Sequence, residues 1–250
     1  PKIKPATIVA ADIAGADRIF SLGGSQAIAA MAYGTETIPK VDKIVGPGNR
    51  FVTAAKKEVY GTVGIEFLAG PSEVLIIADE TGDAKLIAAD LLAQAEHDAD
   101  AKAYLVTISG ALAKEVNSQL QRQLKGLGTG ETAKAALRNG AIILAKNLEE
   151  AVAISNLKAP EHLELQVKFP QKLARTLTNY GSLFIGKYSA EAFGDYCSGT
   201  NHTLPTAGAS RYAGGLSVRD FVKVLTWQKI TKKGLGEMIS IASRLAEVEG

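Results

Sequence analysis

The sequence is poor in the features that usually place a protein quickly. Among its 250 residues there is one cysteine, Cys197, which excludes an internal disulfide framework and suits a reducing, cytoplasmic compartment. Charge of one sign is also missing. Lys and Arg number 28 against 26 Asp and Glu, a formal +2, so nothing points to nucleic acid or an anionic membrane surface as a partner. No apolar run approaches the roughly 18 residues of a membrane-spanning helix, and the start carries no signal-peptide pattern. There is no internal repeat, no low-complexity tract, no G-x-G-x-x-G fingerprint and no G-x-S-x-G elbow. Histidine is scarce as well: His97, His162 and His202 are the whole supply of imidazole.

What is present is the composition of an ordinary globular protein, 46% hydrophobic and 22% charged. Segments with strand and helix periodicity alternate. Residues 6–16 predict a helix, 18–24 a strand entering a glycine turn, 25–34 a helix, 43–49 a strand and turn, and 50–61 a helix. Strands are predicted again at 72–80, 101–109, 141–146, 162–167 and 182–186, with helices at 83–97, 111–124, 131–138, 147–156 and 170–178 between them. Such alternation predicts an α/β fold of βαβ units, with parallel sheets covered by helices. From 217 onward only helices are expected, at 217–229 and 232–248. Gly70-Pro71 marks a boundary between a first block, 1–70, and a longer one, 71–216, with 217–250 as a C-terminal helical segment. Residues 187–216, rich in Gly, Ser, Thr, Asn and Tyr, break the pattern, and a loop of that length in a compact domain is usually functional. The chain starts at Pro1 and stops within a helical pattern at Gly250, as expected of part of a longer natural product.

Each histidine keeps polar company. Gln94 and His97 close the helix 83–97 three residues apart, hence on one face. His there can serve the helix dipole, or the two can ligate a metal, although Gln is an unusual zinc ligand. Glu161-His162 follows Pro160 where a loop feeds a strand. An imidazole is a ready general base, and an adjacent carboxylate can activate water; a surface Glu beside a half-buried His is the plainer alternative. "GDYCSGTNH" packs Asp195, Cys197, Asn201 and His202 into a loop that could touch metal or substrate, or could merely bond its own backbone. Cys197 reads as a packed thiol, since nothing nearby marks it as activated. The strand-to-helix glycine turns "SLGGSQA" and "VGPGNR" can hold phosphate on backbone N–H groups, but neither is a dinucleotide fingerprint. Ser72 sits after a Gly-Pro turn, immediately before a strand. From the residues alone this is an α/β enzyme with three polar clusters and no defined reaction.

Five stretches in order, "GGSQAIAAMAYGTETIPKVDKIVGPGN", "AGPSEVLIIAD", "DLLAQAEHD", "APEHLEL" and "GDYCSGTNHTLPT", together resemble histidinol dehydrogenases. The likeness runs from about residue 15 to the end. It implies Rossmann-like βαβ blocks: an NAD-binding block at 1–70, a zinc- and substrate-binding catalytic block at 71–216, and a dimer-swapped helical segment at 217–250. It implies zinc on Gln94, His97 and Asp195, with the family's fourth ligand, a histidine, falling four residues beyond Gly250. Glu161 and His162 are implied as the catalytic pair. Substrate contacts are implied for Ser72, Gln94, His97, His162, Asp195, His202 and Glu249, the last reaching a partner's site, and cofactor contacts for Gln26 and Asn49. The implied activity is NAD-dependent oxidation of L-histidinol to L-histidine through a bound aldehyde, by a cytoplasmic homodimer. A related zinc- and NAD-dependent dehydrogenase of another small alcohol, such as a sulfonated diol, is the competing enzyme reading. A non-catalytic fragment is the competing non-enzyme reading.

Overall fold

The structure, a computed structural model, describes residues 3–250; Pro1, with which the first block opens, and Lys2 lie outside it. Two compact units are present, one ending at Ser217 and the other spanning Val218–Gly250. The fold is α/β with parallel sheets, as the alternating pattern predicts.

The first unit opens with helices α1 (Pro5–Ile13) and α2 (Gly24–Tyr33). Strand β1 (Lys43–Ile44), helix α3 (Arg50–Val59) and strand β2 (Gly64–Ile65) follow, and β1 and β2 pair in parallel as a two-stranded sheet. A small core of Ile28, Ala32, Ile44, Val59 and Val63 joins these pieces. The strand expected at 18–24 does not form. Leu22 N donates to Phe20 O, a local turn, and no ladder partner lies alongside among the described residues. Extended backbone becomes a strand only where a neighbour takes its polar groups.

The second sheet has five parallel strands: β3 (Glu73–Ala78), β4 (Lys102–Thr107), β5 (Ala141–Leu144), β6 (His162–Gln166) and β7 (Ser182–Ile185). Their order is β5-β4-β3-β6-β7, so β3 and β6 are central neighbours, with Val74 beside His162. All six residues of β3 are buried, as a strand covered on both faces requires. Val74, Ile76 and Ala78 pack against α4 (Ala84–Ala95), α5 (Gly110–Leu124) and α6 (Gly130–Leu137). Leu75 and Ile77 face the opposite layer, α7 (Leu148–Lys158) and α8 (Pro170–Ala174). The alternation follows from the two-residue period of a strand.

Residues 187–216 are not all loop: α9 (Glu191–Tyr196) is a short helix within them, and Ala209–Arg211 make a 3-10 turn. In the second unit, α10 (Lys232–Glu249) forms as expected. The predicted helix at 217–229 does not. It is a 3-10 turn at Val218–Phe221 followed by irregular chain, in which Val224 is 93% and Trp227 85% exposed. An apolar face at helical spacing makes a helix only where a surface packs against it.

Candidate active site

The two central strands begin side by side, and the polar residues around those beginnings form one cavity. Ser72 immediately precedes β3; Glu161 precedes β6, and His162 is its first residue. The end of α4 returns to the same edge and delivers Gln94 and, just past it, His97. Helix α9 contributes Glu191 and Asp195, four residues apart and so on one face. Gly194 makes that approach possible, because a Cβ there would stand 2.7 Å from the Phe184 ring of β7. His202, Thr203 and Thr206 close the cavity from the following loop, and Pro47, Gly48 and Glu66 close it from the first block. The enclosed space is about 160 Å³. Gly70 N donates to Thr206 Oγ1, which ties the loop to the turn before Ser72.

His162 is 4% exposed. Its Nδ1 is anchored, 3.3 Å from Glu73 O and 3.4 Å from Glu191 Oε1, while Nε2 is buried with no partner. Burial drives its pKa down to about 4, against the weaker opposing pull of Asp195, so the ring is neutral at pH 7. Glu161 takes one hydrogen bond from Glu73 N at 2.9 Å. Burial first, then the charges of Glu73 and Asp195, push its carboxyl up to about 8. A neutral imidazole with a free nitrogen, beside a carboxyl ionising near neutrality, is a pair suited to proton transfer.

His97, Glu191 and Asp195 offer ligand atoms all within 4.8 Å of one another. The Gln94 amide, 1% exposed, is satisfied with its nitrogen towards the Glu191 oxygens at 3.1 and 3.3 Å. That orientation turns its oxygen, the atom a cation binds, away from the carboxylate. The imidazole and two carboxylates are donors of the kind that hold a divalent cation such as zinc, and the Gln94 amide lies in the same cavity wall. Asp195 also accepts from His202, Nδ1 to Oδ1 2.9 Å.

Sequence reasoning missed Glu191. Its signal was the spacing of four from Asp195, which carries meaning only once 191–196 is read as helix and not loop. The remaining sequence-predicted residues separate. Ser72 lines the cavity and also an adjoining open groove of about 640 Å³, where Asn49 lies. Asn49 caps α3, accepting from Phe51 N and Val52 N at 3.1 and 3.2 Å. Gln26 is exposed in the first turn of α2 and lines neither space. Glu249 ends α10 in the second unit, exposed. Cys197 is exposed and lies outside the cavity wall, not packed as expected.

A family model described as histidinol dehydrogenase matches residues 1–250. The chain belongs to the histidinol dehydrogenase family. Curated histidinol dehydrogenases of Thermus thermophilus and Bacillus cereus are 50% and 52% identical to it, over 100% and 99% of this chain and 61% and 58% of theirs. The crystal structure of histidinol dehydrogenase from Elizabethkingia anophelis superposes with a TM-score of 0.92 at 44% identity, covering 99% of this chain and 57% of that one. The chain thus spans about three fifths of the length of these relatives. No helix among the described residues is long and apolar enough to cross a membrane.

Proposed function

We propose that the protein containing this chain oxidises L-histidinol to L-histidine in two successive two-electron steps, the last reactions of histidine synthesis. The observation that carries this reading is the meeting of Glu161, His162 and the cation donor set in one cavity of a histidinol dehydrogenase family chain. Gln94, His97 and Asp195 would hold zinc, and zinc supplies a template that fixes the amine and imidazole of the substrate. The groove past Asn49 would admit NAD, which would supply the hydride acceptor for each oxidation.

His162 Nε2 is the buried basic nitrogen, and it removes the alcohol proton as the first hydride leaves. Glu161 holds and deprotonates the water that adds to the bound aldehyde, while His162 returns the alcohol proton to the carbonyl oxygen, so the hydrate forms beside a neutral imidazole. His162 then takes the hydrate proton as the second hydride departs. Ser72 and His202, both in the cavity wall, orient the substrate. Burial of the pair excludes bulk water from the reacting carbon. The protein works as a cytoplasmic homodimer, in which the helical segment 217–250 crosses to the partner and Glu249 completes the partner's site.

The test is NADH formation from L-histidinol by the natural gene product that carries this chain, zinc-replete, with histidine counted in parallel. Two NADH per histidine are expected. A zinc-loaded protein that turns over a sulfonated diol and not histidinol would move the reading to the sister dehydrogenases, and one that binds zinc and oxidises neither would leave a non-catalytic protein.

A further inference from the structure

One acid in the cavity wall has no part in the chemistry above. Glu66 follows β2, and its side chain is 2% exposed. Its Oε1 accepts from Gly46 N at 3.0 Å and from Lys56 Nζ at 2.6 Å, and the same Nζ donates to Gly46 O at 2.5 Å. One buried ion pair therefore holds both polar groups of a single glycine. Gly46 has φ +121°, a conformation other residues rarely adopt, and it opens the turn Pro47–Gly48–Asn49 that walls the cavity and the adjoining groove. The other oxygen, Oε2, is buried and receives no hydrogen bond. An acceptor left in that state costs free energy in the ligand-free protein, and a donor arriving with a ligand removes the cost.

We propose that Glu66 is a cofactor-contact residue: Oε2 accepts from the carboxamide NH₂ of a nicotinamide in the cavity, while Oε1 and Lys56 fix the turn beneath it. The inference rests on the dehydrogenase reading above. One observation and one consequence of the dehydrogenase reading select the cofactor over the substrate as the donor. Glu66 belongs to the first-block wall, which continues through Gly48, Ala69 and Gly70 into the groove by which a dinucleotide would enter. The substrate amine and imidazole are committed to the cation set, which the second block supplies.

The experiment compares NAD with 3-acetylpyridine adenine dinucleotide, in which a methyl group replaces the amide NH₂. kcat/KM for both is measured in the wild-type gene product, Glu66→Gln and Lys56→Met, with the melting temperature as a folding control. Glu66→Gln keeps an oxygen for Gly46 and Lys56 but turns an NH₂ towards the ligand. It is expected to erase about tenfold of the wild-type preference for NAD over the analogue, the worth of one charge-assisted hydrogen bond, with KM for histidinol within about twofold. Lys56→Met, which loosens the turn alone, is expected to weaken both dinucleotides alike and leave their ratio unchanged. A ratio identical in wild type and Glu66→Gln overturns the proposal. An unchanged ratio with a raised KM for histidinol overturns it too, by assigning Oε2 to the substrate. Should Glu66→Gln fail to fold, Glu66→Asp, which withdraws the oxygen by one carbon, is read in the same way. If the wild type does not oxidise histidinol, the dehydrogenase reading has failed, and calorimetric affinities for the two dinucleotides still decide the role of Glu66.

Discussion

The two ends of the five-stranded sheet use their polar groups differently. At the carboxyl ends several side chains are spent on the backbone, while Gln166 Oε1, on the last residue of β6, is buried without a partner. Asp83, Ser109 and Asn147 each cap the helix that follows a strand, accepting from Leu86, Leu112 and Glu150 N–H groups respectively. Asp79 accepts from Thr81 N and Lys168 N at 2.9 and 2.7 Å, pinning the ends of β3 and β6 together. At the amino ends His162 Nε2 and Glu73 Oε1 are buried without partners, and Glu161 and Glu191 are held with their carboxyls pushed well above the usual range, chiefly by burial. Open parallel sheets commonly bind ligands at the carboxyl ends, beside the point where strand order reverses. Here the reversal lies between β3 and β6, but the candidate chemistry sits at the opposite edge. Capped helix ends make a stable rim, and buried carboxyls beside an imidazole make a site suited to proton transfer.

The contrast can be broken most severely at His162. His162→Asn is expected to lower kcat by about 10²–10⁴-fold, the worth of a general base, while the melting temperature stays near that of the wild type. A steady-state assay beside a thermal melt checks both. Next comes the shared support of the two ends. Ile76, fully buried in the middle of β3, is expected to cost about 2–5 kcal/mol when changed to Ala, by denaturant titration. Ile44→Ala in the small first-block core should fall at or below the low end of that range, because fewer buried neighbours surround it.

A third test lies between the ends, at Glu164 in the middle of β6. Burial first, and the charge of Asp90 second, push its carboxyl up to about 9, so it folds protonated. A carboxyl raised in this way stabilises the fold fully below its unfolded value near 4.5, and that contribution is lost as pH rises through about 9. Glu164→Gln mimics the protonated form and cannot ionise. Its melting temperature relative to wild type should therefore climb between pH 7 and pH 10, by at least about 2–4 °C; a difference that stays flat with pH would show that Glu164 is not protonated in the fold. The smallest effect belongs to the carboxyl rim. Asp83→Ala and Asn147→Ala should each cost about 1 kcal/mol of stability and leave turnover unchanged, since they cap helices at the edge of the sheet opposite the cavity.

Much of this was legible because it depends on local pattern. The continuous apolar run of β3 and the 3.6-residue faces of α4 and α5 locate themselves in the sequence. Gln94, His97, Glu161, His162 and Asp195 could be named because five motifs in register resemble one family, and not because any single spacing demanded a role. Glu191 and Glu66 were not legible. The first lies on a six-residue helix stabilised by packing against Phe184, and the second is marked only by an ion pair with a residue ten positions away on another element. The strand at 18–24 and the helix at 217–229 failed for a related reason, since each pattern needs a partner surface that the periodicity cannot supply.

The sequence by itself determined the α/β class, the order of elements through the five-stranded sheet and the chemical types available to the site, because hydrophobic period and residue chemistry are properties of short segments. Only the tertiary structure decided that those residues converge at the amino ends of β3 and β6, that His162 is neutral and Glu161 is a weak acid, and that one oxygen of Glu66 has no partner. Those outcomes follow from burial and from neighbours brought together across tens of residues, and no local pattern encodes them.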